Sequence, residues 1–481
     1  MATKTTAALP FSATPLRSSA SHSATTTLMV ACDICLIVTI LSLVAEIRHI
    51  LTPTYVISDS LFAFFALTIM LIAAFATQGL YPGCLMHAAD EIRKIFLSIS
   101  TVFLIWASSA FLTKNGEAYS RSVFLFAWAT LIPGIICARY LARRVASHYS
   151  WFGVPAVLLG SDRTACRVFN LLSSKRSCVR IIGLLSDDPV PDSLLKSFLG
   201  PLSLAPQLAA QGGVRYAVIA MPAERSDGGV TRQIQRFCRG FSHVVVIPDM
   251  PGLCSVGVTA RELGGELGFE FPQRIFHLTN AFAKRSLDIT LSFSALLLLL
   301  PVLLLIAILI RITSGGPILY RQTRYGRSET TFGAWKFRTM VKDASAVLDH
   351  HLRLHPHLRL EWQRDHKLKN DPRITVVGKW LRRFSLDELP QLWNVLTGQM
   401  SLVGPRPIVY AEISKYGATF DLYSRVRPGL TGLWQVSGRN NTTYDERVSF
   451  DEYYVHNWSI WLDIYILLCT IKVLATSEGA Y

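Results

Sequence analysis

Charge is what this sequence has least of. Only 17% of its 481 residues are Asp, Glu, Lys or Arg and 51% are hydrophobic, whereas a water-soluble globular chain carries about a quarter charged residues. The mean hydropathy is accordingly positive, at +0.34. A charge-rich disordered chain is excluded. So is a small disulfide scaffold, because the nine cysteines have no framework spacing, which fits a reducing compartment. Cys32 and Cys35 stand in an apolar run and read as helix lining rather than as a redox or metal pair. Acidic residues are scarcer than basic ones, 33 against 48, leaving a net charge of +15. Such an excess suits nucleic acid, anionic lipid or a phosphorylated substrate, and position has to decide among them. No Asp-x-Asp metal motif of the kind many glycosyltransferases use is present, which weakens a simple glycosyl-transfer reading.

Residues 1–27 are Ser-, Thr- and Ala-rich without a cleavage site and read as a disordered tail rather than a signal peptide. Four apolar stretches follow, at about 28–47, 56–78, 94–113 and 122–142, each long enough for a hydrocarbon core that takes about 20 helical residues. A four-helix membrane region over 28–147 is expected. Asp33 and Glu46 read as snorkelling or facing a neighbouring helix. Lys4, Arg17, Arg93, Lys94, Arg139, Arg143 and Arg144 fall on one set of alternate connections, against Arg48, Lys114 and Arg121 on the other. This seven-to-three bias puts the N-terminus and everything after residue 144 in the cytoplasm.

Residues 148–276 alternate short apolar runs (154–160, 181–188, 216–221, 243–249) with helical patterns such as 163–173 and 229–238. That rhythm predicts a Rossmann-like α/β module with a parallel sheet. Its first turn, beginning at Gly160, has one glycine where a dinucleotide fingerprint needs three, so a structural or regulatory role is favoured. Residues 291–310 are a second kind of membrane segment, apolar but interrupted by Pro301 and flanked by basic residues on both sides. A crossing helix would carry the basic remainder outside. A re-entrant helix hairpin over 286–311, broken at Pro301, keeps both flanks on one face. The remainder of 277–481 reads as a monotopic α/β-type domain. Its last helix, near 457–474, suits either the headgroup plane or a buried core position.

The densest chemistry lies between 371 and 407. Asp387 and Glu388 follow Arg382 and Arg383 closely, and phosphoryl transfer needs this set: an oxygen nucleophile, a metal-holding carboxylate and guanidinium groups that neutralise phosphate. Ser385 and Glu388 also have capping-box spacing. Pro390 prefers the first turn of a helix, in which case both carboxylates precede the helix; spacing leaves the two alternatives level. Arg406 sits on a rigid Pro-Arg-Pro turn, and Arg425, Arg427 and Arg439 bracket a glycine-rich segment that admits a ligand close to backbone amides. His350, His351, His355 and His357 fit no metal-ligand spacing.

These residues carry a resemblance. The strings KRSLDI, YRQTRYGR, FGAWKFRTM, LRRFSLDELPQLWNVLTGQMSLVGPRP, RPGLTGLWQVSGRN and FDEYYVHNWSIWLDI resemble the catalytic domain of the bacterial polyprenyl-phosphate hexose-1-phosphate transferases, a phosphoglycosyl transferase family. The four spans and central module look like its large members, and GLWQVSGRN with YYVHNW is most similar to the undecaprenyl-phosphate galactose phosphotransferases. The resemblance implies an enzyme of the bacterial inner membrane with its catalytic domain on the cytoplasmic face. Its substrates would be UDP-hexose and undecaprenyl phosphate, its cofactor Mg2+, and its place the first membrane step of O-antigen, capsule or exopolysaccharide synthesis. Asp387 would form an aspartyl-phosphosugar with release of UMP, and Glu388 would hold Mg2+. Arg338, Arg382, Arg383, Arg406 and Arg427 would receive phosphate charge, while Lys284 and Arg285 anchor the hairpin at lipid headgroups. The family's hairpin has a Ser-Pro type break; here Leu300 precedes Pro301. A homodimer is suggested and nucleic acid is not. Three alternatives stay open: glucose-1-phosphate in place of galactose-1-phosphate, glycosyl transfer, and a non-catalytic protein that binds sugar nucleotide during assembly.

Overall fold

Apolar runs that meet lipid must satisfy their backbone groups internally, so they are helical. The chain opens with four such helices, α1 (His22–Leu51), α2 (Ser58–Thr77), α3 (Ala88–Leu112) and α4 (Arg121–Ala146). The computed structural model describes residues 20–476 except 52–57, 85, 113–120, 174–177, 211–213, 221–235, 239, 248–258, 264–265, 271–274, 276–277, 315, 356–370 and 438–441. Among the described residues, α1, α3 and α4 are long and apolar enough to cross a membrane, and α2 contributes a shorter apolar stretch, Leu61–Thr77. Ile37, Leu41, Leu71, Phe75, Ile95, Ile99, Leu131 and Ile135 form the bundle core, while Phe62, Phe111 and Phe126 face outward, as lipid contact requires. Asp33 faces a neighbouring helix: Arg139 of α4, 1% exposed, donates to Asp33 Oδ1 at 3.1 Å and to Glu91 Oε1 at 3.2 Å.

The same unit, which ends at Pro251, contains the α/β module. Strands β1 (Val154–Leu159), β2 (Val179–Leu185), β3 (Phe198–Gly200), β4 (Tyr216–Ile219) and β5 (His243–Val246) pair in the order β3-β2-β1-β4-β5. Every pairing is parallel, as the alternating apolar runs predict. Helix α5 (Arg163–Leu172) follows β1, and the short α6 (Ala205–Ala210) precedes β4. The expected helix at 229–238 lies largely outside the described residues.

The second unit begins at Gly252 and contains the antiparallel pair β6 (Thr259–Leu263) and β7 (Glu266–Glu270), ahead of the boundary expected at residue 277. Residues expected to break at Pro301 form one helix, α7 (Leu278–Ser314), with the proline inside it. Proline forfeits one amide donor and crowds the preceding turn; a 37-residue apolar helix continues past that local loss. After α7 come the hairpin β8 (Leu319–Tyr325) and β9 (Thr331–Phe337), then α8 (Ala344–Leu354), α9 (Val376–Arg383) and α10 (Gln391–Thr397). Strands β10 (Ser401–Val403) and β11 (Gly429–Thr431) pair in parallel. Between them lie α11 (Ile413–Tyr416) and α12 (Thr419–Ser424), and α13 (Leu433–Ser437), α14 (Tyr444–His456) and α15 (Ile460–Thr476) close the chain. The inner face of α15 belongs to the core, with Leu462 and Ile466 fully buried.

Both ends of α7 are built into this unit. At the N-terminal end, Lys284 Nζ donates to Asp463 Oδ2 at 2.7 Å and Val403 O at 3.0 Å, and buried Asp288 accepts from Ser401 Oγ and Leu402 N, each at 3.0 Å. At the other end, Ile306 and Ile310 pack with Phe337, Leu381 and Leu386. Between these ends the apolar side chains are bare, Leu297 and Leu298 being 65% and 78% exposed.

Candidate active site

The carboxylate pair sits on a turn between α9 and α10. Thr375 caps α9 by accepting from Gly378 N at 2.9 Å. Glycine is needed at 378, since a Cβ there would stand 2.1 Å from Thr339 O. The chain leaves α9 through Ser385, whose φ of 55° is left-handed, makes a single 3-10 turn over Leu386–Glu388, and enters α10 after Pro390. Ser385 therefore caps nothing with its side chain. Of the two alternatives left open by spacing, the structure has the carboxylates ahead of the helix, consistent with the preference of proline for a first turn.

The turn is held from three directions. Leu386 packs with the C-terminal end of α7. Asn394 in α10, fully buried, donates to Gly333 O at 2.8 Å and accepts from Trp335 N at 3.0 Å, locking α10 to β9. Arg285 donates to Val395 O and Leu396 O at 2.6 and 2.7 Å, satisfying carbonyls that a helix C-terminus leaves open.

Opposite the turn, Lys336 Nζ of β9 donates to Glu388 Oε1 at 2.6 Å. Burial favours the neutral acid at Glu388, but Lys336, Arg406 and Arg324 overcome it and hold the carboxyl below its ordinary range. Its neighbour behaves oppositely. Burial, with the adjacent Glu388 charge, pushes Asp387 up to about 6, against the pull of Lys336 and Arg382. Two adjacent carboxylates thus titrate apart, the pattern of a site with divided roles. The Pro405-Arg406-Pro407 loop is fixed by its backbone: Gly429 N donates to Pro405 O at 2.8 Å, Gly404 N to Thr431 O at 2.9 Å, and Tyr325 N to Ile408 O at 2.9 Å. A Cβ on Gly429 would stand 2.1 Å from Gly404 N, so β10 and β11 meet more closely than side chains allow. Arg324 Nη1 donates to Pro407 O at 3.2 Å, placing a second guanidinium beside this loop.

Comparison with known proteins places this geometry in a family. Residues 279–477 match the model described as bacterial sugar transferase. The chain is 35% identical to the undecaprenyl-phosphate galactose phosphotransferase of Salmonella typhimurium over 405 residues, 81% of this chain and 82% of that protein. It belongs to the bacterial sugar transferase family. The UDP-galactose-lipid carrier transferase of Erwinia amylovora is 34% identical over 81% of this chain and 82% of its own. The UDP-glucose:undecaprenyl-phosphate glucose-1-phosphate transferase of Escherichia coli is 34% identical over 61% of this chain and 62% of its own. Residues 77–248 also match a model described as a CoA-binding domain. At the first turn of the parallel sheet, polar groups are engaged with one another. Asp162 Oδ1 already accepts from Ala165 N at 2.8 Å at the N-terminus of α5, and Ser186 donates to Ser161 at 2.8 Å.

Within this sugar transferase the expected site residues divide. Asp387, Glu388 and Arg406 share one electrostatic environment, and Arg382, which donates to Thr339 Oγ1 at 2.9 Å, acts on Asp387. Arg383 instead lies over the rings of Trp380 and Phe384 on an exposed face. Arg338 has a buried, unpaired Nη1 beside Gly316. Arg427 Nε donates to Gly398 O at 2.8 Å, serving the α10 terminus with Arg285. Lys284 and Arg285 are likewise engaged by protein groups rather than presented outward. Lys336 and Arg324 were missed by sequence reasoning. Their signal was alternation on a basic hairpin, which a solvated face shares. The carboxylate pair fits a divalent cation: among the described residues Glu388 has one cation in contact and Asp387 none, and the Glu388 charge still raises Asp387 against the pull of Lys336 and Arg382. Mg2+ typically takes one or two carboxylates together with substrate phosphates. His350 and His351 lie on α8 and His355 just beyond it, while His357 and Arg439 lie outside the described residues.

Proposed function

We propose that the protein transfers hexose-1-phosphate, with galactose as the hexose, from UDP-hexose to undecaprenyl phosphate at the cytoplasmic face of the bacterial inner membrane. The observation that carries this is the carboxylate pair: Asp387, buried and raised to about 6 against the pull of Lys336 and Arg382, stands beside Glu388, which Lys336 contacts and which Arg406 and Arg324 help keep ionised. The names of the Salmonella and Erwinia relatives support the substrate pair.

In the first half-reaction an Asp387 carboxylate oxygen attacks the β-phosphorus of UDP-hexose. The bond from that phosphorus to the bridging oxygen breaks, UMP leaves with the electron pair, and the hexose phosphate remains on Asp387. In the second, a phosphate oxygen of undecaprenyl phosphate attacks the same phosphorus, forming the lipid diphosphate sugar and restoring the carboxylate. Glu388, with Asp387, would hold Mg2+, which supplies charge neutralisation at the transferring phosphoryl group. Arg406 and Arg382 bind phosphate oxygens, and Lys336 keeps Glu388 ionised.

A lipid phosphate and a soluble nucleotide meet only at the bilayer surface. Both ends of α7 pack into one unit while its middle is bare, which supports a helix that enters the membrane and returns to the same face. Undecaprenyl phosphate, UDP-galactose and UDP-glucose supplied to the purified chain test the reading. UMP release that depends on Asp387, fastest with UDP-galactose, is expected. UDP release means glycosyl transfer, and no turnover leaves only binding. Faster release from UDP-glucose replaces the hexose, which the name of the Escherichia coli relative favours.

A further inference from the structure

Buried donors in this unit are almost always paired; Asp463, for example, receives Lys284, Tyr454 and Trp458. One cluster departs from that rule. Among the described residues, Trp434 Nε1, Tyr444 Oη and the Nε and Nη2 of Arg447 are all buried without a hydrogen-bond partner. Trp434 and Arg447 are only 7% and 8% exposed. Arg447 lies 5.1 Å from the Trp434 ring and 4.8 Å from the Tyr444 ring, so two aromatic rings pack against its guanidinium while its Nε and Nη2 have no hydrogen-bond partner among the described residues. Arg406 lies 5.4 Å from the same Trp434 ring. The nearest carboxylate, Glu412, is 3.7 Å from Arg447 and 3.9 Å from Arg324, beyond hydrogen-bond reach of both and shared between them. Three guanidiniums and an indole N–H face two carboxylates, the distant Glu412 and the buried Asp451, whose Oδ2 already accepts from Tyr416 at 2.7 Å, which leaves positive charge in excess and donors unused. Buried unpaired donors are retained where something else fills them.

We propose that Arg447 and Trp434 extend the Arg406 loop into a second phosphate subsite, in which the Arg447 N–H edge and Trp434 Nε1 bind the oxygens of a phosphate other than the one attacked by Asp387. A planar guanidinium edge matches two phosphate oxygens, and the two flanking rings fix its plane. Tyr444 supplies a hydroxyl at the rim. This inference rests on the transfer reaction proposed above, which brings two sources of that chemistry: the α-phosphate of the nucleotide and the lipid acceptor's phosphate.

The test uses the full chain in detergent, titrated with UMP and separately with farnesyl phosphate, for wild type, Arg447→Lys and Trp434→Phe. Lysine keeps the charge and loses the planar edge; phenylalanine keeps a ring and loses the N–H. At least tenfold weaker binding of one ligand in both variants, with melting temperatures near wild type, is expected. Loss for UMP assigns the nucleotide phosphate, and loss for farnesyl phosphate assigns the lipid. Should a variant melt early, the wild-type chain decides through deuterium uptake at 433–437 and 444–451, which saturating ligand slows if the subsite exists. Unchanged affinity for both ligands, or unchanged uptake, overturns the subsite and leaves the transfer reaction standing. Wild type that binds neither ligand overturns both.

Discussion

Replacing Asp387 by asparagine is expected to abolish UMP release and, at the same time, to stabilise the protein. The shift from 3.8 to about 6 is about two pKa units, and at about 1.4 kcal/mol per unit it sets an upper bound of about 3 kcal/mol on the cost of ionising Asp387 in the fold. Partial exposure screens some of that, leaving about 1–2 kcal/mol, or about 2–6 °C in melting temperature for a unit of this size. The pH dependence has a definite sign. Below pH 3.8 the carboxyl is protonated in the folded and unfolded chains alike, so wild type and Asp387→Asn differ little. Between 3.8 and about 6 the folded chain retains a proton that the unfolded chain has shed, and wild type loses stability relative to the variant as pH rises. Above about 6 the cost is complete. The assay is differential scanning fluorimetry of both proteins from pH 4 to 8, without divalent cation, alongside UMP release at pH 7.5. A variant that melts below wild type at pH 7.5, or a difference that does not grow with pH, refutes the account of Asp387 as a carboxylate held against its burial.

Four further outcomes follow from the same geometry. UMP release in the first half-reaction should fall about tenfold per pH unit below about 6, as Asp387 takes up its proton; stopped-flow measurement from pH 4.5 to 8 checks this. Arg285→Ala removes two charge-assisted hydrogen bonds from the end of α10 and should destabilise the second unit by about 2–3 kcal/mol, and the protein that remains folded should turn over more slowly because the Asp387 turn has lost one of its attachments. Arg139→Gln leaves buried Asp33 without its guanidinium partner, whereas Glu91 keeps both hydrogen bonds from Arg143. It should destabilise the first unit by about 3–5 kcal/mol, seen as loss of monodisperse protein in detergent. Cysteines placed at the exposed positions Phe282 and Ile312, on a cysteine-free background, should react with an impermeant maleimide from the same side of the membrane; opposite sides would make α7 a crossing helix.

The parts of the fold that patterning encodes were legible. Span-length apolar runs, short alternating strands and the proline after the carboxylates each reflect a local constraint, and α1 to α4, the β1–β5 sheet and the start of α10 follow them. What patterning does not encode is the partner of a charge. Arg406 and Arg427 both stand beside Pro in glycine-rich stretches, and from the sequence either serves phosphate equally well. In the fold, Gly398 O takes the Arg427 Nε, because a helix end nearby leaves carbonyls unpaired, whereas among the described residues no hydrogen bond claims the Arg406 guanidinium beside Trp434. Lys284 and Lys336 show the same ambiguity from the other side. Both lie in basic runs next to apolar segments, yet Lys284 pairs with a buried core aspartate and Lys336 with Glu388 beside Asp387.

The arrangement of α7 explains why the apolar helix and the Asp387 turn follow one another in the chain rather than lying in separable domains. Arg285, near the start of α7, fixes the end of α10, and Ile306 and Ile310, near its finish, pack with Leu381 and Leu386 on either side of the exit from α9. The Asp387 turn lies between these two attachments. Any change in the path of α7 through its exposed leucines would therefore shift α9 against α10 and alter the strained passage through Ser385. The path of α7 and the geometry at Asp387 are therefore coupled, so a substitution such as Pro301→Ala, far from every charged group of the site, should lower turnover with lipid-embedded acceptor more than it lowers binding of UMP.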